Sequence, residues 1–108
     1  MKANEFVKNH GWKLVKDLIE RGKEQTHVSN DSRMMIDAER YIRECPWFAD
    51  DVDEMVSLVD LKRLVESYGL VQEHGSLERA RKYANSPYTA PEIKGVLDKA
   101  IADVESCQ

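Results

Sequence analysis

The stretch Thr89–Val104, TAPEIKGVLDKAIADV, has the clearest pattern in this sequence. Its apolar residues recur every three or four positions, a spacing that places side chains on one face of an α-helix. The face consists of Ile93, Val96, Leu97, Ala100, Ile101 and Val104. The sequence therefore predicts a final helix, from about residue 89 to residue 105, that turns this face inward.

The beginning of this helix also has a recognisable signal. Thr89 and Glu92 are spaced as a capping box, in which each side chain bonds the backbone N–H of the other residue. Pro91 falls in the first turn, where it loses no helical hydrogen bond. We therefore expect the Thr89 hydroxyl to cap the helix.

Two helices are predicted immediately before it. Asp60 is a plausible N-cap for a helix that ends at Gly75, and Ser76 begins the next. Their inward positions follow the same helical spacing. These positions are Leu61, Leu64, Val65, Tyr68 and Val71 in the first helix, and Leu77, Ala80 and Ala84 in the second.

The N-terminal segment predicts one helix from Asn4 to Arg21, with Gly22 as its stop signal. Gly11 lies in the middle and either permits a close approach by another element or breaks the segment into two shorter helices. The apolar residues on and beside its stripe are Val7, Leu14, Val15, Leu18 and Ile19. The polar stretch Lys23–Asp31 has no period and is predicted to be a loop.

The middle of the chain has weaker signals. Ser32 is predicted to cap a helix that runs to about Glu44, with Met35, Ala38 and Ile42 inward; Pro46 ends it. The acidic run Asp50–Glu54 lacks the spacing of a calcium loop and instead suits the first turn of a helix. The pattern leaves the fold of residues 23–56 open.

Together these signals predict a mainly α protein, a compact bundle of four or five helices that forms a single domain over residues 1–108. No segment alternates apolar and polar residues over six or more positions, so no strand is expected. A chain of 108 residues is long enough to bury one modest core without a metal or a disulfide.

Composition limits the class of partner. With 20 acidic and 16 basic residues the net charge is -4, which gives polyanions no overall attraction. The cysteines, Cys45 and Cys107, are far apart, and we expect one buried thiol and one on a fraying C-terminal turn. The N-terminus has no signal-peptide pattern and no stretch approaches membrane-spanning length, so we expect a soluble intracellular protein without a membrane partner.

The last three helices have the order of a helix-turn-helix DNA-binding unit over residues 76–105, and this is the alternative function. In that unit the final helix would enter the major groove. From Pro91 to Glu105 it has four carboxylates against two lysines, and no Arg, Asn or Gln to contact base edges. Because affinity for DNA depends largely on phosphate neutralisation, the sequence predicts against nucleic-acid binding.

Catalytic and metal motifs are absent from the sequence, so we expect no enzymatic activity, catalytic residue, metal or cofactor. His10-Gly11 and His74-Gly75 form two similar corners, but two histidines do not complete a four-ligand zinc site. A histidine followed by glycine also suits the end of a helix.

Protein–protein interaction is the remaining class. Four aromatic residues are candidate anchors, because aromatic side chains dominate binding hot spots. They are Trp12, Trp47, Phe48 and Tyr88. For Trp47 and Phe48 the sequence favours packing under a loop, and an exposed partner anchor is the alternative. The expected partner is another protein or a second copy in a homodimer.

Three segments carry a resemblance to a known group: NEFVKNHGW (Asn4–Trp12), VDLKRLVESYGLVQEHGSLERARKY (Val59–Tyr83) and AIADVESC (Ala100–Cys107). They are similar to small uncharacterised early or accessory-region proteins of lambdoid bacteriophages and prophages. The middle of the chain, from Lys23 to Met55, departs from that pattern. The resemblance implies a phage-encoded protein that acts in the bacterial cytoplasm and binds a host or phage protein.

Overall fold

The computed structural model describes residues 2–108, apart from the side chain of Phe48. The described chain is 68% helical and contains seven α-helices, one 3-10 helix and a three-stranded sheet, so the mainly α prediction is confirmed. Contacts group the residues into two compact units: an N-terminal unit that ends at Lys62 and a C-terminal unit, Arg63–Gln108. A single domain over residues 1–108 stays a prediction.

The N-terminal unit begins with two short helices, α1 (Ala3–His10) and α2 (Trp12–Arg21). Gly11 separates them with φ of 86°, a left-handed backbone that glycine adopts without a steric penalty. Its N–H still bonds the Val7 carbonyl and closes the end of α1. Of the two alternatives for Gly11, the structure confirms the break.

A small antiparallel sheet follows, which the sequence did not predict. Its strands are β1 (His27–Val28), β2 (Met35–Ile36) and β3 (Val56–Ser57), in the order β2-β1-β3. In β1, Val28 pairs with Met35 on one side and with Val56 on the other. Two-residue strands are too short to show a period of two, which explains the missing signal.

The predicted helix from Ser32 to Glu44 is wrong in its first half. Ser32 has φ of 66° and lies in the turn between β1 and β2 rather than at a helix cap. Helix α3 is only Ala38–Glu44, and its cap is the Asp37 side chain, which accepts from the Glu39 N–H at 3.2 Å. Ile42, predicted to face inward, is exposed.

Beyond α3 come a 3-10 helix, Pro46–Phe48, and α4, Ala49–Asp53. Helix α3 ends before Pro46 as predicted. Asp50 and Asp51 occupy the first turn of α4, which confirms the interpretation of the acidic run as a helix start.

The core of the N-terminal unit draws on α1, α2, the sheet, α4 and the residues that follow β3. Its buried apolar residues are Phe6, Val7, Val15, Leu18, Val28, Ile36, Val52, Val56, Leu58 and Leu61. Phe6, fully buried, is the largest of them, although it lies off the stripe predicted for this segment.

Helix α5 is Leu58–Glu73, and the C-terminal unit contains it from Arg63 onward. It begins directly after β3, so Asp60 lies inside the first turn and is not the predicted N-cap. Gly75 then turns the chain with φ of 94°, and the Ser76 hydroxyl caps α6 (Leu77–Ala84) by accepting from the Arg79 N–H at 3.2 Å. Both of these signals are confirmed.

The last helix is α7 (Pro91–Ser106), and it packs against α6. The capping box predicted for it is wrong, because Ala90 is the N-cap and provides no side-chain bond. The Thr89 hydroxyl instead donates to the Tyr83 carbonyl and closes the turn after α6. The buried apolar residues of this unit are Leu64, Val71, Ala80, Ala84, Leu97, Ala100, Ile101, Val104 and Cys107.

Candidate protein-interaction groove

Only part of the apolar face of α7 is buried in the core. Leu97, Ala100, Ile101 and Val104 are buried, as the spacing predicted. Two other members of that face are not: Ile93 is 49% exposed and Val96 is 61% exposed. The prediction that these two residues point inward is wrong, because they lie on the flank of α7 where no described element covers them.

Helix α5 provides the opposite wall. Leu70 and His74, near the C-terminal end of α5, line a depression together with Ile93, Val96 and Glu92 of α7. The His74 ring lies 4.8 Å, centroid to centroid, from the Tyr83 ring of α6, within the range of a favourable aromatic contact. This contact places His74 at the edge of the depression.

A second depression continues along the same two helices. It is lined by Arg63, Glu66, Ser67 and Leu70 of α5 and by Val96, Lys99, Ala100 and Asp103 of α7. The two depressions have volumes of about 330 and 340 Å³, and Leu70 and Val96 line both. Because the two depressions share these residues, we name them together the α5/α7 groove, which is apolar at the Ile93 end and charged at the Asp103 end.

At the charged end the Asp103 carboxylate is held in place by α5. It accepts a hydrogen bond from the Ser67 hydroxyl at 2.7 Å, and the Arg63 Nε lies 4.0 Å from the same oxygen. The Asp103 side chain is only 17% exposed. Most of its hydrogen-bonding capacity is therefore directed towards α5 rather than towards a ligand in the groove.

The aromatic residues predicted as partner anchors have different environments. Trp47 is 73% exposed and Tyr88 is 96% exposed, whereas Trp12 is half-buried. The favoured interpretation of Trp47 as a residue packed under a loop is therefore wrong. The side chain of Phe48 lies outside the described part of the chain. None of the four lines the α5/α7 groove, and their role as anchors stays a prediction.

The N-terminal unit has a depression of its own, with a volume of about 530 Å³, between the end of α2 and the start of α5. Ile19, Leu58 and the exposed Val59 line its apolar part. Glu20, Lys23, Gln25 and Lys62 line the rest. Because flexible, hydrated side chains make up half of its wall, it is a weaker docking surface than the apolar end of the α5/α7 groove.

Two of the five basic residues of the candidate helix-turn-helix unit form ion pairs with acids. Arg81 forms a bridge to Glu105 of α7 at 2.5 Å, and Lys82 lies 3.8 Å from Glu78. The connection from α6 to α7 covers residues 85–90, longer than the three or four residues usual in that motif. This geometry gives no support to the DNA-binding alternative.

The described residues contain no group of three or more His, Cys, Asp or Glu side chains that could hold a metal ion. Cys107 lies at the C-terminal turn as expected, but its thiol is buried, and Cys45 is half-buried. Burial raises the pKa of the Cys107 thiol, so this group is protonated and a poor nucleophile at neutral pH.

The groove was missed because periodicity reports which residues are apolar, not which of them the rest of the chain covers. The six members of the α7 stripe have the ordinary density of an inward face, so the spacing carried no signal that Ile93 and Val96 stay exposed. No helix in residues 2–108 is long and apolar enough to cross a lipid bilayer.

Comparison with protein families, curated proteins and solved structures gives no match.

Proposed function

We propose that this protein is a non-enzymatic helical interaction module and that the α5/α7 groove binds the apolar face of another polypeptide. The observation that carries the proposal is the exposure of Ile93 and Val96 on the flank of α7, directly across from Leu70. Fully burying an aliphatic side chain of this size contributes about 1.5–3 kcal/mol. Because Ile93 and Val96 are already about half covered, covering the rest contributes roughly half of that for each and favours association.

A helix is the ligand shape that fits best. The groove follows two antiparallel helices, since Arg63 and Ser67 of α5 face Asp103 of α7 while His74 lies at the Ile93 end. A channel of this kind accepts apolar side chains spaced every three or four residues on one helical face. Charged residues at one end fix the direction in which such a helix docks.

The biological setting rests on the resemblance to lambdoid phage and prophage accessory proteins. In that setting the module acts in the cytoplasm of a bacterial host and its partner is a host or phage protein. The net charge of -4 and the paired basic residues of α6 support a polypeptide rather than a nucleic acid as the ligand.

The test uses site-specific crosslinking in bacterial lysate. A photoreactive amino acid is placed at Ile93, and adducts are identified by mass spectrometry with and without the further change Val96→Glu. We expect a polypeptide adduct that Val96→Glu abolishes, because a carboxylate in the apolar end would have to be desolvated on docking.

The matched control is Lys94→Glu, which adds an acid to the same helix outside the groove. It should leave the adduct unchanged. Absence of any adduct at Ile93, or an equal loss with Lys94→Glu and Val96→Glu, would contradict the proposal.

A further inference from the structure

We propose that the polypeptide in the α5/α7 groove is a second copy of this chain, with the two α7 helices packed antiparallel about a twofold axis. This inference rests on the proposed function of the groove and adds the identity of its occupant. It is argued from the placement of charged and apolar residues along α7.

Two opposite charges on the groove side of α7 lack partners. Glu92 lines the apolar end and Lys99 lines the charged end, and neither forms an ion pair within residues 2–108. They lie about 10 Å apart along the helix axis, at a rise of 1.5 Å per residue. A docking helix would pair with both residues if it placed a cation beside Glu92 and an anion beside Lys99.

A second copy of α7 presents these charges when it runs antiparallel to the first. An antiparallel copy related by a twofold axis between Gly95 and Val96 places Glu92 of each chain beside Lys99 of the other. A symmetric dimer contact is self-complementary in this sense, because each pair that forms once forms twice. The charges therefore match in the antiparallel orientation, whereas a parallel pair would place Glu92 beside Glu92 and Lys99 beside Lys99.

The apolar residues fall in the same register. Val96 lies next to the proposed axis, so the two copies of this exposed side chain meet each other. Ile93 is one turn away from Val96 and lines the same apolar end as Leu70. A contact about this twofold axis therefore buries the exposed apolar residues of both chains.

Asp103 does not oppose this arrangement. Its carboxylate accepts from Ser67, faces Arg63 and is largely shielded. Arg63 and Glu66 of α5 also line this end, and they are exposed and opposite in sign. Lys99 adds the cation on α7 that Glu92 of the other copy can reach.

The contact is small, and this sets the expected affinity. An interface confined to one 16-residue helix and its groove buries less than the roughly 800 Å² per partner of a standard complex. We therefore expect a weak dimer, with a dissociation constant on the order of 10–500 micromolar.

The experiment is a charge exchange followed by sedimentation equilibrium of the full chain over a wide concentration range. Glu92→Lys and Lys99→Glu, made singly, each put like charges together at both ends and should weaken the wild-type dimer about tenfold or more. The double variant restores opposite charges and should recover dimerisation. A mixture of the two single variants should form a heterodimer, because its facing pairs are again opposite.

Asp98→Lys and Lys94→Glu are the matched controls, since both residues are exposed on α7 and line neither part of the groove. They should change the dissociation constant less than twofold, and circular dichroism verifies that all variants are folded. Equal weakening by the controls, or a double variant as weak as the single variants, would overturn the inference.

A wild-type chain that stays monomeric throughout the concentration range would overturn it as well. Crosslinking from Ile93 then separates the two proposals. Adducts with a different protein would leave the proposed function standing and reject the second copy, whereas no adduct of either kind would reject both.

Discussion

The two units of this protein differ in the contacts that hold their chains in place. In the C-terminal unit, helices α5, α6 and α7 are defined by local signals, such as the Ser76 cap and the left-handed turn at Gly75. In the N-terminal unit, key hydrogen bonds join distant residues: the Thr26 N–H donates to the Ile36 carbonyl, and its carbonyl accepts from Leu58. Local signals predict the first kind of structure, whereas long-range pairing leaves no pattern in a sequence window.

The N-terminal and C-terminal units each contain a glycine in or at the end of a helix, and the two glycines have different surroundings. Substituting them should give the largest difference in stability between the two units. Gly22, at the end of α2, is buried, and a Cβ there would lie 2.7 Å from the Met35 Sδ and 3.0 Å from the Leu18 carbonyl oxygen. Gly95 is exposed within α7, and a Cβ there would meet nothing within 4 Å. Gly22 therefore permits a close approach, and Gly95 has no such role within the chain.

We expect the two Gly→Ala changes to shift the free energy of unfolding in opposite directions. Gly22→Ala should lower it by about 1–3 kcal/mol through overpacking. Gly95→Ala should raise it by up to about 1 kcal/mol, because alanine has the higher helix propensity. Urea denaturation followed by circular dichroism measures both, and a neutral Gly22→Ala would show that Met35 moves aside without loss.

The second test compares two threonine hydroxyls. Thr26 Oγ1 accepts from the Ala38 N–H at 2.8 Å, at the start of α3, and lies 2.8 Å from the His27 Nδ1. It is part-buried and joins the residue before β1 to the first residue of α3, 12 positions along the chain. The Thr89 hydroxyl bonds the Tyr83 carbonyl at an exposed turn of the C-terminal unit.

Thr26→Val should therefore cost about 1–3 kcal/mol of stability, because it leaves a part-buried N–H without its acceptor. Thr89→Val should cost only about 0.5 kcal/mol, because water replaces the bond at the exposed turn. Thermal or urea unfolding of the two variants gives the comparison. Equal losses at both sites would show that the hydrogen bond from β1 to α3 is no more important than an ordinary surface bond.

These examples show which parts of the structure the sequence could predict. The helical content, the end of α3 before Pro46, the acidic start of α4 and the Ser76 cap each depend on residues within one turn of one another, so local patterns were sufficient. The sheet was missed because its two-residue strands depend on partners that only the folded chain brings together. Ser32 was assigned to a helix cap because a serine before apolar residues has the same local signal in a tight turn.

The candidate site was predictable only in part, for a related reason. The α7 spacing identified Ile93 and Val96 as members of an apolar face but could not show that the described chain leaves them uncovered. Trp47 and Tyr88 were selected by residue type, and both are exposed, but neither lies in the groove. Exposure of an apolar residue depends on the whole fold, so neither residue type nor local spacing identifies which apolar residues stay uncovered.

The smallest expected change in stability concerns the turn between β1 and β2. This turn belongs to the N-terminal unit, but its own hydrogen bonds join residues that are close in sequence. The Asp31 carboxylate accepts from the Ser29 hydroxyl at 2.6 Å and from the Arg33 N–H at 3.1 Å. The pKa of Asp31 lies below its ordinary value of 3.8, mainly because its carboxylate accepts the hydrogen bond from Ser29. The hydrogen bond from the Arg33 N–H is the second cause. The folded chain thus releases this proton at a lower pH than the unfolded chain does.

The sign of the pH dependence follows from that difference. A depressed pKa in the folded state contributes stability above the ordinary pKa, and this contribution disappears as the pH falls through the lowered value. Asp31→Asn should therefore make stability fall less steeply than in the wild type between about pH 5 and about pH 2. Ser29→Ala should do the same in part, because it removes the main donor while retaining the carboxylate. Urea midpoints across this range, with the Asp31 pKa measured by NMR titration, check the prediction, and a wild-type pKa at or above 3.8 would contradict it.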